Sequence, residues 1–305
     1  MKIATTTMEL SSNYPGQHLE RVKKIHEAGF NYVDLSFFLE ARPDSAFLRD
    51  DWQELVAQLK TYGQENGVSY VQAHCPAVNP LRAGERYEFI MRSTVRSLEV
   101  CGMLGIPNAV IHWGLDNGIS KEESFERNYA FLKELIPVLE KTGVNLCFEN
   151  SSTTFWKESF YPATGRDMRD FLEYVGHPLV NACWDTGHGN LEGPQYNEIV
   201  TLGRYLKAVH INDNRGVQDE HMLPFMGTIS MDEIMSALLA IDYKGYFTLE
   251  AVHTTELPGG SYPSRRVFAG DDRLAAVPLA VKETMLKAGY EIAKAILVAY
   301  DCYEE

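Results

Sequence analysis

Eight short apolar runs recur along the chain, and most of them end in a polar or ionisable residue. Their length and their content of Val, Ile, Leu and aromatic residues are typical of buried parallel strands. The pattern therefore predicts eight strands: KIATTT (2–7), NYVDLSF (31–37), SYVQAHC (69–75), NAVIHWG (108–114), NLCFENS (145–151), NACWDT (181–186), KAVHIND (207–213) and YFTLEAV (246–252).

Helical patterns separate these runs. Apolar residues recur there at three- and four-residue spacing, and most of the patterns stop at a glycine, the residue that commonly ends a helix. The predicted helices cover 18–29, 52–67, 88–105, 125–143, 168–176, 196–206, 231–245 and 279–300.

Eight strands, each followed by a helix, match a single (β/α)8 TIM barrel in a chain of 305 residues. A doubly wound sheet would need fewer repeats or a separate domain. No stretch rich in Pro, Gly and Ser divides the chain. We therefore expect one TIM-barrel domain spanning residues 1–305.

Composition and charge limit the kinds of partner and the cellular location that we expect. Lys and Arg number 28 against 42 Asp and Glu, which gives a net charge of −14 and makes nucleic acid an unlikely partner. The first ten residues, MKIATTTMEL, lack the basic and apolar segments of a signal peptide, and no apolar run is long enough for a membrane span. We therefore expect a cytoplasmic protein without membrane contact. The sequence leaves assembly as a homo-oligomer open.

The cysteines are odd in number and scattered, without C-x-x-C spacing. This pattern favours reduced thiols, mostly buried, over a disulfide framework or a thiolate zinc site. They are Cys75, Cys101, Cys147, Cys183 and Cys302.

Six consecutive predicted strands end in carboxylate or imidazole side chains, and in a (β/α)8 barrel these ends form the active-site rim. A lone histidine there can be a core residue, and a lone acid a helix cap. Burying so many carboxylate and imidazole side chains together is costly unless a cation or a tight hydrogen-bond network compensates them. Nitrogen and oxygen donors suit Zn2+, Mn2+, Co2+ or Fe2+, so a divalent metal is predicted without a fixed identity. The residues are His74, His112, Glu149, Asp185 with His188, His210 with Asp213, and Glu250.

The stretch CWDTGHGN places Asp185 and His188 three residues apart at the end of the sixth strand. We expect Asp185 to reach the metal from the strand end. The Thr-Gly pair predicts a turn that bends the chain, so that His188 faces the same cavity from the following loop.

Taken together, FEN (148–150), DTGH (185–188), VHIND (209–213), the D-x-H of 219–221 with its P-x-x-G-T-I continuation, and TLEAV (248–252) resemble the xylose isomerase-like TIM-barrel superfamily. Its members include sugar and sugar-phosphate isomerases and epimerases, enzymes that act on cyclic polyols, and endonuclease IV. The resemblance runs from the first predicted strand to the last.

In the isomerase and epimerase branch, the resemblance implies one metal held by Glu149, Asp185, His210 and Glu250. It implies that His188 contacts a carbohydrate substrate, with Arg215 as an approximate counterpart of a substrate-binding arginine. Glu149 and Glu250 would exchange protons with the substrate as general acid and base, through an enediolate that the metal stabilises. A hydride shift is the competing route.

Other functions stay open at this stage. Endonuclease IV holds three zinc ions with nine ligands, and the resemblance gives a matching residue for each, adding His74, His112, Asp219 and His221 to the residues named above. An abasic-DNA nuclease of that type, a lyase or dehydratase with the same enolate chemistry, and a non-enzymatic sugar-binding barrel are the alternatives.

Two long loops also carry candidate substrate-binding residues. The loop after the fifth strand carries Phe155, Trp156, Phe160 and Tyr161. These rings would either cover a sugar, with Trp156 binding substrate, or only pack the loop onto the barrel. The segment after the eighth strand carries Arg265 and Arg266, a candidate pair for a substrate phosphate.

Overall fold

The computed structural model of the chain describes residues 1–154, 160–254, 269–270 and 277–305. Its eight strands are parallel and follow one another around a single sheet. The eighth strand pairs with the first, and a bridge between Ile211 and Leu249 joins the seventh and eighth, so the sheet closes into a barrel. The strands are β1 (Ile3–Thr6), β2 (Tyr32–Ser36), β3 (Ser69–His74), β4 (Asn108–Ile111), β5 (Asn145–Glu149), β6 (Val180–Asp185), β7 (Leu206–His210) and β8 (Phe247–Leu249).

Helices lie between the strands, as the sequence pattern predicts, and the (β/α)8 TIM barrel is confirmed. Several helices end at a glycine in the left-handed region, for example Gly143 with a φ of 73°. Those in the described residues are α1 (His18–Glu27), α2 (Trp52–Asn66), α3 (Tyr87–Leu104), α4 (Lys121–Thr142), α5 (Gly165–Val175), α6 (Thr186–Glu192), α7 (Tyr196–Leu202), α8 (Met231–Ala240) and α9 (Leu279–Ala299).

The interior of the barrel supplies a floor for a site at the strand ends. Side chains two residues apart on a strand point to the same face. One inward layer is small and fully buried, and it consists of Val110, Cys147, Cys183 and Ala208. The next inward positions along these strands are His112, Glu149, Asp185 and His210. The polar rim therefore lies directly above a layer of apolar and thiol side chains.

The cysteine prediction holds, because all five are free thiols and four are buried. Cys302 is partly exposed. Among the described helices, none is both long enough and apolar enough to cross a bilayer.

Candidate metal centre and active site

Four side chains from successive strands converge at the carboxyl end of the barrel. They are Glu149 at the end of β5, Asp185 at the end of β6, His210 at the end of β7 and Glu250 just after β8. All four are buried, and one candidate ligand atom from each lies within 4.8 Å of the others. His210 Nδ1 lies 2.7 Å from Glu149 Oε1 and 3.2 Å from Glu250 Oε2. These four residues are called the central group below.

The strand register explains this convergence. Asp185 and His210 are direct partners in the pairing of β6 with β7, and Glu149 is opposite Cys183 in the pairing of β5 with β6. Because neighbouring parallel strands twist and shear around a barrel, residues at successive strand ends face the same axis. The register therefore places these strand ends next to one another.

Asp185 is held from three directions. Its main chain exchanges two hydrogen bonds with the side chain of Asn150, at 2.6 and 3.0 Å. Asn212 Nδ2 donates to Asp185 Oδ2 at 2.7 Å, and the backbone N–H of His188 donates to Oδ1 at 2.7 Å. Neither Asn150 nor Asn212 was predicted as a site residue, although they belong to the FEN and VHIND motifs and lie within two residues of the predicted ligands Glu149 and His210.

The expectation of a Thr-Gly turn after Asp185 is wrong, because residues 186–192 form helix α6. Asp185 is its N-cap, and the bond from the His188 N–H satisfies a free donor of the first helical turn. His188 therefore reaches the rim from a helix, one turn beyond Asp185, and not from a loop. Gly187 permits this close approach, since a Cβ there would lie 1.9 Å from Asn212 Oδ1.

A second group shares Glu149. His112 Nε2 lies 3.1 Å and His74 Nε2 lies 3.5 Å from Glu149 Oε2. His74 Nδ1 donates to the carbonyl oxygen of Cys75 at 2.7 Å, which directs Nε2 at the carboxylate. Both rings also contact Phe38 edge-on, with centroids 5.2 and 5.6 Å away.

A third group consists of His188, Asp219 and His221. Asp219 Oδ2 is 3.2 Å from His188 Nε2 and 2.9 Å from His221 Nε2. Nδ1 of His188 donates to the carbonyl of Asn150, and Nδ1 of His221 donates to the carbonyl of Glu250, each at 2.9 Å. Within the described part of the chain, Asp219 Oδ1 is buried without a hydrogen-bond partner.

Burial and neighbouring charge set the protonation of these groups. Burial would raise the pKa of Glu149, but His210 and the other two contacting imidazoles hold it well below its usual range. Burial does raise the pKa of Glu250, and the charge of Glu149 adds to the shift. For His188, Asp185 and Asp219 outweigh the effect of burial and raise the pKa to about 10. The two glutamates therefore have contrasting environments at the same rim.

These residues fit a bound divalent cation. The central group combines three buried carboxylates with an imidazole, and burying such a set without a compensating cation is costly. In addition, His74, His188 and His221 each donate Nδ1–H to a main-chain carbonyl while Nε2 faces a carboxylate. Metal-binding histidines are oriented by this kind of bond to the second ring nitrogen.

The structure does not bring every predicted residue into the rim. The Arg215 side chain is 67% exposed, and its Nη1 lies 3.5 Å from Glu220 Oε1. Trp156, Phe155, Arg265 and Arg266 lie outside the described residues. Their predicted contacts with substrate or phosphate, like that of Arg215, stay predictions.

The described end of the loop after β5 packs onto the barrel. Tyr161 is buried, and its hydroxyl accepts the N–H of Trp113 at 3.3 Å. The ring of Phe160 lies 5.9 Å from that of Phe125. For these two aromatic residues, the packing interpretation is the one that the contacts support.

Asp213 has a different place from the strand-end acids. Its carboxylate accepts the backbone N–H groups of Asn214, Gly227 and Ile229, at 2.8 to 3.1 Å. Asp213 therefore links the two ends of the loop after β7. This loop carries Asp219 and His221.

The chain is therefore a (β/α)8 barrel protein whose strand ends carry a rim of paired carboxylates and imidazoles. The model of the xylose isomerase-like TIM-barrel family matches residues 22–269, and the chain belongs to that family. The resemblance seen in the sequence motifs is thereby confirmed.

Individual proteins similar to this chain share about a fifth to a third of its residues over the aligned segments. An uncharacterized protein, y4fM of Sinorhizobium fredii, is 27% identical over 243 residues, which cover 72% of this chain and 76% of that protein. The D-psicose 3-epimerase of Ruminiclostridium cellulolyticum is 31% identical over 143 residues, or 46% of each chain. The solved structure of a D-psicose 3-epimerase with D-tagatose, from Clostridium cellulolyticum H10, superposes with a TM-score of 0.73 at 19% identity, covering 97% of this chain and 99% of that one.

Proposed function

We propose that the chain is one catalytic domain, residues 1–305, that epimerises or isomerises a sugar at a carbon next to its carbonyl group. The convergence of Glu149, Asp185, His210 and Glu250 on one buried point carries this proposal. Relatives with an assigned activity support it, since they include a D-psicose 3-epimerase and a fructoselysine 3-epimerase.

The two glutamates are suited to move protons. They come from β5 and from just after β8, three strands apart around the ring, and both carboxylates contact His210 Nδ1. A substrate between them would lose its C–H proton to one carboxylate and regain a proton from the other. Return of the proton to the opposite face of the same carbon inverts it, whereas return to the neighbouring carbon exchanges ketose and aldose.

The remaining residues would hold a cation and orient the substrate. Asp185 and His210, with the two glutamates, would hold a divalent cation such as Mn2+, Co2+ or Zn2+. When bound, the cation supplies Lewis-acid stabilisation of the negative charge that develops on the sugar oxygens. His188 is 12% exposed at the rim, so its ring can reach a substrate hydroxyl.

The test uses protein loaded with Mn2+ and incubated in D2O with D-psicose, D-fructose or D-tagatose. We expect a second sugar by chromatography and deuterium on carbon by NMR. Glu149→Gln and Glu250→Gln should each lower the rate by about 10²–10⁴-fold, the range of general acid–base catalysis. Glu65→Gln, at an exposed position on α2, is the control that should keep full activity.

Failure to convert these three sugars, an aldose panel, their phosphates and cyclic ketopolyols would refute the sugar proposal. Ketose–aldose exchange without carbon-bound deuterium would keep the isomerase reaction and replace proton transfer with a hydride shift between neighbouring carbons. Loss of water or cleavage of the substrate would instead indicate a lyase or dehydratase that uses the same two carboxylates.

The second candidate is a nuclease for abasic DNA, and the three neighbouring groups favour it. They give potential ligand sets around Glu149, around Asp185 and around Asp219. The net charge of −14 is unfavourable for binding a phosphate backbone. About three zinc ions per chain with nicking of an abasic duplex would reverse the order of the two candidates.

A further inference from the structure

The peptide that joins Glu250 to Ala251 lies beyond the end of β8, where ladder bonding stops. The N–H of Glu250 still donates to the carbonyl of Ile211, at 3.0 Å. The next peptide group is bound by side chains on both edges. His221 Nδ1 donates to the Glu250 carbonyl at 2.9 Å, and Glu9 Oε1 accepts the Ala251 N–H at 2.9 Å.

These two bonds fix one rigid unit. The carbonyl of Glu250 and the N–H of Ala251 belong to the same planar peptide, so bonds at both edges prevent its rotation. The orientation of that plane sets the backbone angle that follows the Glu250 Cα. The direction in which the Glu250 carboxylate leaves the chain therefore depends on Glu9 as well as on His221.

Glu9 is itself held firmly. It lies in the short 3-10 helix Thr7–Leu10 after β1, which Thr6 caps by accepting the N–H of Met8. Two residues beyond that helix, Ser12 accepts a bond of 2.7 Å from Lys282 Nζ on α9. Lys282 is buried, and it lines a small cavity together with Glu9, Leu249 and Ala251. The loop after β1 is thus attached to α9 and to the end of β8 at the same place.

We propose that Glu9 is a positioning residue for Glu250. By accepting the Ala251 N–H, Glu9 keeps the Glu250 carboxylate beside His210 Nδ1, in the central group. The inference rests on the proposed function where it concerns turnover, but its effect on cation binding needs no substrate. This one bond couples Glu9 and Ala251, which are far apart in the sequence and lie just after the first and last strands.

Two substitutions separate positioning from simple packing. Glu9→Gln keeps an oxygen that accepts the N–H, whereas Glu9→Met has a similar length and no acceptor of comparable strength. Isothermal titration with Mn2+ and assays on D-psicose are run on both. We expect Glu9→Met to weaken Mn2+ binding and to lower kcat, each about tenfold, with KM little changed. Glu9→Gln should stay within about twofold of the unaltered protein in both.

Glu20→Met is the matched control, because Glu20 pairs with Lys23 on the surface of α1 at 2.7 Å and makes no contact with the rim. It should leave Mn2+ binding and kcat unchanged. Equal losses in Glu9→Gln and Glu9→Met, or unchanged Mn2+ affinity and kcat in folded Glu9→Met, would overturn the proposal. Should the unaltered protein convert none of the sugars, Mn2+ affinity alone still decides the role of Glu9, and only the proposed function fails.

Discussion

Gly187 offers a direct test of how the site is held. A Cβ on this residue would lie 1.9 Å from Asn212 Oδ1 and 3.1 Å from Asn214 Nδ2. Asn212 is fully buried and donates to Asp185 Oδ2 at 2.7 Å. Gly187→Ala must therefore push Asn212 away from the carboxylate that it orients.

The cost can be worked out from these contacts. Displacing Asn212 removes a hydrogen bond to a charged group, worth about 1.5–3 kcal/mol. Forcing an extra methyl group into a packed site adds about 1–3 kcal/mol. We expect Gly187→Ala to lower the free energy of unfolding by about 2.5–6 kcal/mol and to weaken Mn2+ binding at least tenfold.

Urea unfolding and calorimetric titration with Mn2+ measure the two effects. The control is Gly67→Ala at the end of α2, where φ is 71° but a Cβ would meet no atom of the described residues within 4 Å. This change should cost only about 1–2 kcal/mol, from backbone strain, and should leave Mn2+ affinity unaltered. It separates a generally weakened fold from a disturbed site.

A double-mutant cycle identifies the clashing partner. In the Asn212→Ala background the side-chain amide is absent, so Gly187→Ala should cost about 2 kcal/mol less than in the unaltered protein. An identical cost in both backgrounds would refute the reasoning, because Asn212 would then not be the group that a methyl at position 187 displaces.

Three further outcomes are expected. Mn2+ at about 100 times its dissociation constant should stabilise the fold by about 2.7 kcal/mol in calorimetry, and Glu149→Gln should abolish the effect; an equal shift in the variant would exclude Glu149 as a ligand. Burial raises the pKa of Glu9 from an ordinary 4.5 to about 7, so folding retains a proton between these values and stability falls as pH rises through that window. Glu9→Gln should therefore gain stability over the unaltered protein from pH 5 to pH 8, by at most about 3 kcal/mol, and a constant difference would contradict the shift. A thiol reagent at pH 8 should modify Cys302 first, because burial raises the pKa of Cys75 and Cys183 to about 12; rapid native labelling of these two would show that the buried interior is open to solvent.

Much of the fold could be predicted from the sequence because each strand is a short apolar run and most of these runs carry polar or ionisable residues at or near their ends. The parallel barrel then gives those ends a common face, so Glu149, Asp185, His210 and Glu250 meet although 101 residues separate the first from the last. This prediction needed only strand ends. It did not need the positions of any loop.

What could not be predicted depends on distances across the rim. Asn150 and Asn212 look like ordinary turn residues in the sequence, and only the register of β5, β6 and β7 places both against Asp185. The Thr-Gly pair favours a turn locally, yet Asp185 caps a helix there. Glu9 belongs to no motif in the sequence, so its bond to Ala251 is seen only in the closed barrel.

Contacts within the loop after β7 fix the positions of rim residues. Asp213 accepts three N–H groups, one next to it and two at the far end of the loop, and pairs with Met222 as a β-bridge. His221 adopts a positive φ of 42°, a strained conformation for a side chain of its size, and is kept there by bonds to Glu250 and Asp219. Since strain of this kind persists only where surrounding contacts enforce it, the loop holds Asp219 and His221 in place beside His188. The acids and imidazoles of the rim are therefore held in place by the folded chain, as the proposed function requires of a site that would take a cation and a sugar without rearranging the barrel.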